Sequence, residues 1–230
     1  MPNPQFRMPN SVAVFLFFHP HHSLMTYLIP GILAMAAVVL ASNILVQFLL
    51  GSWLTWGAFT YPVAFLVTDL VNYVHGPRAA SKVVLWGFVV GLLCSLVGSQ
   101  MVGDAGPLVT LRVALASGLA FLTAQLLDVA VFHRLRQGAW WRAPLLSTLV
   151  GSSIDTVLFF SVAFSSVFVW IEPTNDVSWA NEVLPMLGVG PQAPLWVSLA
   201  TADWLVKLSL AMLALVPFRL LVQRLRTHLN

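Results

Sequence analysis

Apolar residues run through this chain in six blocks of roughly 20, the length an α-helix needs to cross the hydrocarbon core of a bilayer. The blocks lie at residues 24–50, 57–74, 83–102, 108–132, 144–171 and 194–218, separated by short stretches of Gly, Pro and charge. The pattern predicts an all-α protein, a bundle of six transmembrane helices. Residues 11–18 are apolar as well, but too short to cross and without a following small-residue cleavage site, so they read as an interfacial segment and not a removed signal. The longest connection, 172–193, spans about 22 residues and holds no soluble domain. The expected organisation is an interfacial or cytoplasmic segment at 1–23, one membrane domain at 24–222, and a cytoplasmic tail at 223–230.

Composition agrees with this pattern. Hydrophobic residues make up 59% of the 230 positions and charged residues 8%, against about 45–50% and 25% in soluble domains. Most of the surface must therefore face lipid. A single cysteine, Cys94, excludes an internal disulfide framework and any metal-binding cysteine pair. The net charge of +3 comes from basic residues in short loops, where membrane topology accounts for them, so nucleic acid is not an expected partner.

Those basic residues orient the chain. Arg7 precedes the first block; Arg78 and Lys82 follow the second; Arg134, Arg136 and Arg142 follow the fourth; Arg219, Arg224 and Arg226 follow the sixth. With six crossings all of them fall on one side. The intervening loops carry no Lys or Arg and hold Asp104, Glu172, Asp176 and Glu182. The excess of positive charge on cytoplasmic loops then predicts that both termini are cytoplasmic. An odd number of crossings would scatter the basic loops over both faces.

Charge within the apolar blocks is the candidate chemistry. Asp69, Asp128, Asp155 and Asp203 are each embedded in a block, with Arg112 and Lys207 among them. A charged side chain at the bilayer centre costs roughly 2.5–3.5 kcal/mol on insertion scales, so these groups need mutual pairing, a ligand or a wet cavity. Asp69 sits about six residues, or roughly 9 Å, from the end of its block at His75 and has no evident structural partner. Asp128 lies near His133 and Arg134, where one reading is a helix-end ion pair; Gln125, one turn back, adds a neutral donor and acceptor. Asp155 falls in a run of small and hydroxyl residues, Ser147 to Thr156, that suits close helix packing or a wet pocket. Asp203 and Lys207 are at i and i+4 and can pair, either as a structural couple or as a gate that exchanges partners. Arg112, at the outer end of its block, is expected to snorkel to the interface. Asn43 and Gln47 are also four apart and present two amides to one face of the first block.

Other signals are weaker. His19, His21 and His22 flank Pro20 with no acidic residue nearby and read as an interfacial loop. No zinc-protease, nucleophile-elbow, dinucleotide or P-loop motif is present, so no cofactor is expected. Trp140, Trp141 and Arg142 read as an interface anchor. Ala37 and Ala41 form a small-xxx-small pair, a hint of helix contact within or between chains and a basis for expecting a homodimer.

Several longer motifs carry a family resemblance. Ser42-Asn43-Ile44-Leu45-Val46-Gln47, Thr55-Trp56-Gly57-Ala58-Phe59 and Phe65-Leu66-Val67-Thr68-Asp69-Leu70 are followed by Gln125-Leu126-Leu127-Asp128-Val129 and Val131-Phe132-His133-Arg134-Leu135-Arg136-Gln137. Trp140-Trp141-Arg142-Ala143-Pro144, the Ser147 to Thr156 run, and Asp203 with Lys207 complete the set. Over residues 40 to 222 the chain resembles the bacterial queuosine precursor transporters, with Ser152 standing where the family carries Asn. The resemblance implies a six-span, multi-pass protein of the bacterial inner membrane that takes up a 7-deazaguanine, 7-cyano-7-deazaguanine or its aminomethyl counterpart.

Such a ligand presents adjacent N–H donors beside a carbonyl on a flat ring. One carboxylate can accept both N–H groups, Asn43, Gln47 or Gln125 can donate to the carbonyl, and Trp56 or a Phe can stack on the ring. The expected substrate-binding set is Asn43, Gln47, Trp56, Asp69, Gln125, Asp128, Asp155, Asp203 and Lys207, with Asp69 or Asp155 reading the polar edge. The energy source stays open between a facilitator, a proton-coupled carrier and the substrate-binding subunit of an ATP-driven complex. An intramembrane enzyme using paired aspartates is an alternative from a different class, distinguished by a chemically altered product.

Overall fold

A computed structural model describes residues 24–103 and 106–229. The expected interfacial segment with Arg7, His19, His21 and His22, and the loop residue Asp104, lie outside the described residues. Six long helices form in chain order: α1 (Leu24–Leu45), α2 (Gly57–His75), α3 (Pro77–Gln100), α4 (Leu111–Leu135), α5 (Arg142–Phe164) and α6 (Leu195–Leu229). Five of them, all except α2, are long and apolar enough to cross a membrane. With Leu33, Leu93, Leu96, Val157, Met212 and Leu213 exposed on their outer faces, the molecule is a multi-pass membrane protein.

α2 falls short of the others in hydropathy for a physical reason. It carries Thr68, Asp69 and Asn72, all buried, and it packs against each of the other five helices. A helix surrounded by protein does not need the lipid-facing side chains that give a span its hydropathy.

Helix ends follow local chemistry. Gly76, at φ 83°, turns the chain between α2 and α3, and Pro77 opens α3 at a position where its missing N–H is not needed. Thr110 caps α4 by accepting from the Val113 N–H at 3.3 Å. The first helix stops at Leu45, short of the expected 50, because the chain turns into a two-stranded antiparallel ribbon, β1 (Leu49–Leu50) and β2 (Leu54–Thr55), with Gly51 at φ 68° in the turn. The last helix runs past residue 218 to Leu229, so most of the expected tail continues α6.

The long connection between α5 and α6, residues 165–194, is folded. It contains three 3-10 turns and a short antiparallel ribbon, Val183–Pro185 against Gln192–Pro194. The Ser178 N–H donates to Asp176 at 2.9 Å, which holds that exposed carboxyl below its ordinary pKa range.

Packing brings the C-terminal ends of α2, α4 and α6 together. Phe218 meets Tyr73 and Phe132 edge-on at 6.1 Å, and Arg219 lies 4.8 Å from the Trp140 ring centroid. The α4–α5 seam is the tightest near the charged residues. A Cβ at Gly151 would fall 2.7 Å from the Phe65 ring and 3.2 Å from the Ala124 carbonyl oxygen. Glycine there lets α5 approach both α2 and α4.

Arg112 does not snorkel. It is fully buried, with Nε donating to the Val162 carbonyl at 2.6 Å and a terminal nitrogen donating to the Ser165 carbonyl, while its backbone N–H donates to Glu172 at 2.9 Å. The Val162 carbonyl has no helical partner, because the Ser166 N–H turns to Asn181, and the Ser165 carbonyl, which also accepts from the Phe168 N–H at 3.2 Å, keeps a lone pair for the guanidinium; the partial negative charge at this helix end offers the cation a better site than the interface.

Candidate functional site

Four helices bring the charged residues to two places. On α2, Thr68, Asp69 and Asn72 are one to four residues apart and turn toward α4 and α5; on α4, Gln125 and Asp128 are three apart and turn toward α2. Thr68 Oγ1 donates to Gln125 Oε1 at 2.7 Å, and Asn72 Nδ2 donates to the Val129 carbonyl at 2.9 Å. From α5, Ser147 Oγ donates to Asp69 Oδ1 at 3.3 Å. The Thr68–Gln125 and Asn72–Val129 bonds align α2 with α4, so that Asp69 and Asp128 fall on the facing sides of the two helices, with Ser147 beside both.

This group is dry and incompletely satisfied. Thr68, Asn72, Gln125, Asp128 and Ser147 have no exposed surface, and Asp69 is 2% exposed. Gln125 Nε2, Asn72 Oδ1 and both oxygens of Asp128 have no hydrogen-bond partner. Buried polar atoms are nearly always paired, and each orphan costs about 1–3 kcal/mol. Four such atoms lie on the adjoining faces of two helices.

The expected helix-end pairing of Asp128 with His133 and Arg134 is not what forms. Asp128 shares a face with Gln125, whereas His133, five residues on, projects elsewhere around the helix. Among the described residues no Lys, Arg or His makes an ion pair with Asp69 or Asp128.

The second place lies between α5 and α6. Lys207 Nζ is 2.7 Å from Asp155 Oδ2, 2.5 Å from Asp203 Oδ2 and 3.2 Å from Thr156 Oγ1, and Thr156 in turn donates to Asp203 at 2.9 Å. The i, i+4 pair is therefore present, with Asp155 joined to it from the next helix. Trp204 Nε1 donates to Ser153 one turn away at 2.9 Å. One ammonium between two carboxylates leaves the cluster with a formal charge of −1, and the side chains are 5%, 5% and 13% exposed for Lys207, Asp155 and Asp203.

Three expected site residues are elsewhere. Gln47 lies beyond the end of α1 and is exposed, so it does not share a helix face with Asn43. Asn43 donates to the Val39 carbonyl of its own helix at 2.9 Å and, with Ser42, Ser95, Ser117, Phe88 and Phe121, lines an open groove between α1, α3 and α4 that none of the four aspartates reaches. Trp56 is exposed just before α2, tilted against Phe59 at 5.9 Å. Asn72 was not expected; its signal was a position three residues after Asp69, on one helix face. Among the described residues no cluster of His, Cys, Asp or Glu could hold a metal ion.

A charged, dry, helix-lined interior of this kind suits a carrier, and similarity to known proteins points the same way. Residues 55–222 match the family described as "Putative vitamin uptake transporter". The chain belongs to that family. Among its relatives, the "Queuosine precursor transporter" of Escherichia coli (strain K12) is 34% identical over 194 residues, 78% of this chain and 79% of that protein. The "Probable queuosine precursor transporter" of Haemophilus influenzae is 33% identical over 71% of this chain and 66% of that protein. A protein of the same description from Bacillus subtilis is 32% identical over 54% and 63%. No solved structure matches. The matched region contains Asp69, Gln125, Asp128, Asp155, Asp203 and Lys207 and excludes Asn43 and Gln47.

Proposed function

We propose that this protein imports queuosine precursors, 7-cyano-7-deazaguanine, its aminomethyl counterpart or both, across the bacterial inner membrane, and that the substrate's polar edge is read between α2 and α4. The observation that carries the reading is the orphaned set on α4: two carboxylate oxygens of Asp128 and the amide nitrogen of Gln125, one turn apart and fully buried. Two adjacent acceptors and one donor complement the paired N–H groups and carbonyl of a deazaguanine. Asp128 takes the part first expected of Asp69 or Asp155. Asp155 and Asp203 are occupied by Lys207 and support the fold around the site.

The transport reading carries a topology with it. α2 is the sixth crossing, and both termini are cytoplasmic, as the basic residues gathered at the shared end of α2, α4 and α6 support. α1 exposes Leu33, Ala37, Leu40 and Ile44, a face that a second copy would cover; cross-linking through a cysteine at Ala37 in a Cys94→Ser background tests the dimer.

Equilibrium binding to the purified protein tests the substrate. 7-Cyano-7-deazaguanine should bind at least tenfold more tightly to wild type than to Asp128→Asn, because the amide cannot accept two N–H bonds side by side. Equal affinity for the two proteins would overturn the assignment of the edge to Asp128.

A further inference from the structure

Asp69 and Asp128 face each other with no cation beside them among the described residues, and two neighbouring carboxylates cannot both stay ionised in an interior closed to solvent. Two like charges about 4 Å apart repel by roughly 4 kcal/mol even at an effective dielectric of about 20. A carboxylate has no hydrogen to donate, so a bond between the two groups needs one from outside them.

The groups surrounding the pair do not supply it. From α5, Ser147 gives its single hydroxyl hydrogen to Asp69. On α6, Lys207 is committed to Asp155, Asp203 and Thr156. Arg112, far along α4, is engaged at the end of α5. Beside the pair, Gln125 Nε2 and Asn72 Oδ1 are fully buried and without partners, an independent sign that this interior receives a ligand.

We propose that Asp69 and Asp128 together form a proton-binding site, holding one proton between their carboxyl groups, and that the interior between α2, α4 and α5 closes only when that proton is present. A shared proton removes the repulsion and makes a short carboxylic acid–carboxylate hydrogen bond, the arrangement that paired aspartates adopt elsewhere. In the closed site, a proton resting on Asp69 leaves Asp128 ionised to accept the substrate's N–H groups, so proton and substrate occupy the pair together. With the site open to water, hydration replaces the proton and both carboxylates ionise. The role in closure around substrate rests on the proposed function above; the proton itself does not.

Infrared difference spectroscopy on the substrate-free protein reads the proton directly. Wild type at neutral pH should show the C=O stretch of one protonated carboxylic acid, lowered in frequency by its bond to the neighbouring carboxylate; the band should move or vanish in both Asp69→Asn and Asp128→Asn, where a lone buried carboxyl is left, and stay unchanged in Asp155→Asn, whose carboxylate is paired with Lys207. No acid band in wild type would overturn the proposal without any variant being needed. A band unmoved in either Asp69→Asn or Asp128→Asn would show that the proton is not shared, and would overturn it too. Exchange of labelled 7-cyano-7-deazaguanine across liposome membranes, at equal pH on both sides, should fall as pH rises in step with loss of the band. Exchange that ignores pH while the band titrates contradicts the role in closure. No exchange at any pH sinks the substrate reading and leaves the band standing.

Discussion

Lys207 on α6 reaches Asp155 on α5 at 2.7 Å, and with the Thr156–Asp203 and Trp204–Ser153 bonds this contact ties the last two helices together. Since Asp203 also contacts the same ammonium, removing the lysine strands two carboxylates at once. Lys207→Met should destabilise the protein by roughly 3–5 kcal/mol, the range for breaking a buried pair from one side. Thermal unfolding in detergent checks this. Adding Asp155→Asn to Lys207→Met should recover part of the loss, since the double variant leaves one uncompensated charge where the single variant leaves two.

Gly151 is where α5 comes closest to α2 and α4. Its absent side chain is replaced by the Phe65 ring, 2.7 Å from where a Cβ would be, with the Ala124 carbonyl oxygen at 3.2 Å. Gly151→Val should cost about 1–3 kcal/mol through overpacking and lower transport, because it pushes Asp69 and Asp128 apart. Gly91, whose added Cβ would meet Val39 at an ordinary 3.7 Å, is the control: Gly91→Ala should be tolerated.

Arg112 closes one end of the bundle by holding the Val162 and Ser165 carbonyls while its own N–H binds Glu172. Arg112→Ala should leave the Val162 carbonyl unpaired, at about 1–3 kcal/mol, with Ser165 keeping only the Phe168 N–H, and loosen the connection that follows α5. Limited proteolysis should cut residues 172–193 faster in the variant while α1 and α2 stay protected.

Gln125 has its Oε1 occupied by Thr68 and its Nε2 unpartnered. Gln125→Leu should weaken deazaguanine binding roughly tenfold, the worth of one buried hydrogen bond, while the Thr68 hydroxyl keeps the Ala64 carbonyl as its acceptor at 3.0 Å. Thr68→Val should weaken binding less, since it loosens Gln125 without removing the donor. Titration of ligand into each purified variant separates the two.

What could be read without coordinates was whatever lies along one helix. Six long apolar blocks became six long helices, and Asp203 with Lys207 paired at the i, i+4 spacing their positions suggest. The misreadings came from contacts between helices or from local turns. Asp155 joins Lys207 only because α5 docks on α6, and no spacing within either helix encodes that. Asp128 turned away from His133 and Arg134 because α2 offers it Asp69, a neighbour 59 positions earlier in the chain. Gln47 left the site because the chain turns after Leu45, where an unbroken apolar run gave no stop signal. Arg112 was drawn inward by carbonyls at the end of another helix, partners that carry no side-chain signature. The family resemblance put Asp69, Gln125 and Asp128 in a wider expected set with six other residues and did not single out the three; their helix positions alone did not either.

Uptake by liposomes containing this protein and no other tests the central claim most directly. Labelled 7-cyano-7-deazaguanine should enter wild-type liposomes down its own gradient without ATP, and Asp128→Asn should slow entry by tenfold or more. No entry with wild type, or equal entry with Asp128→Asn, would contradict an importer that reads its substrate at Asp128.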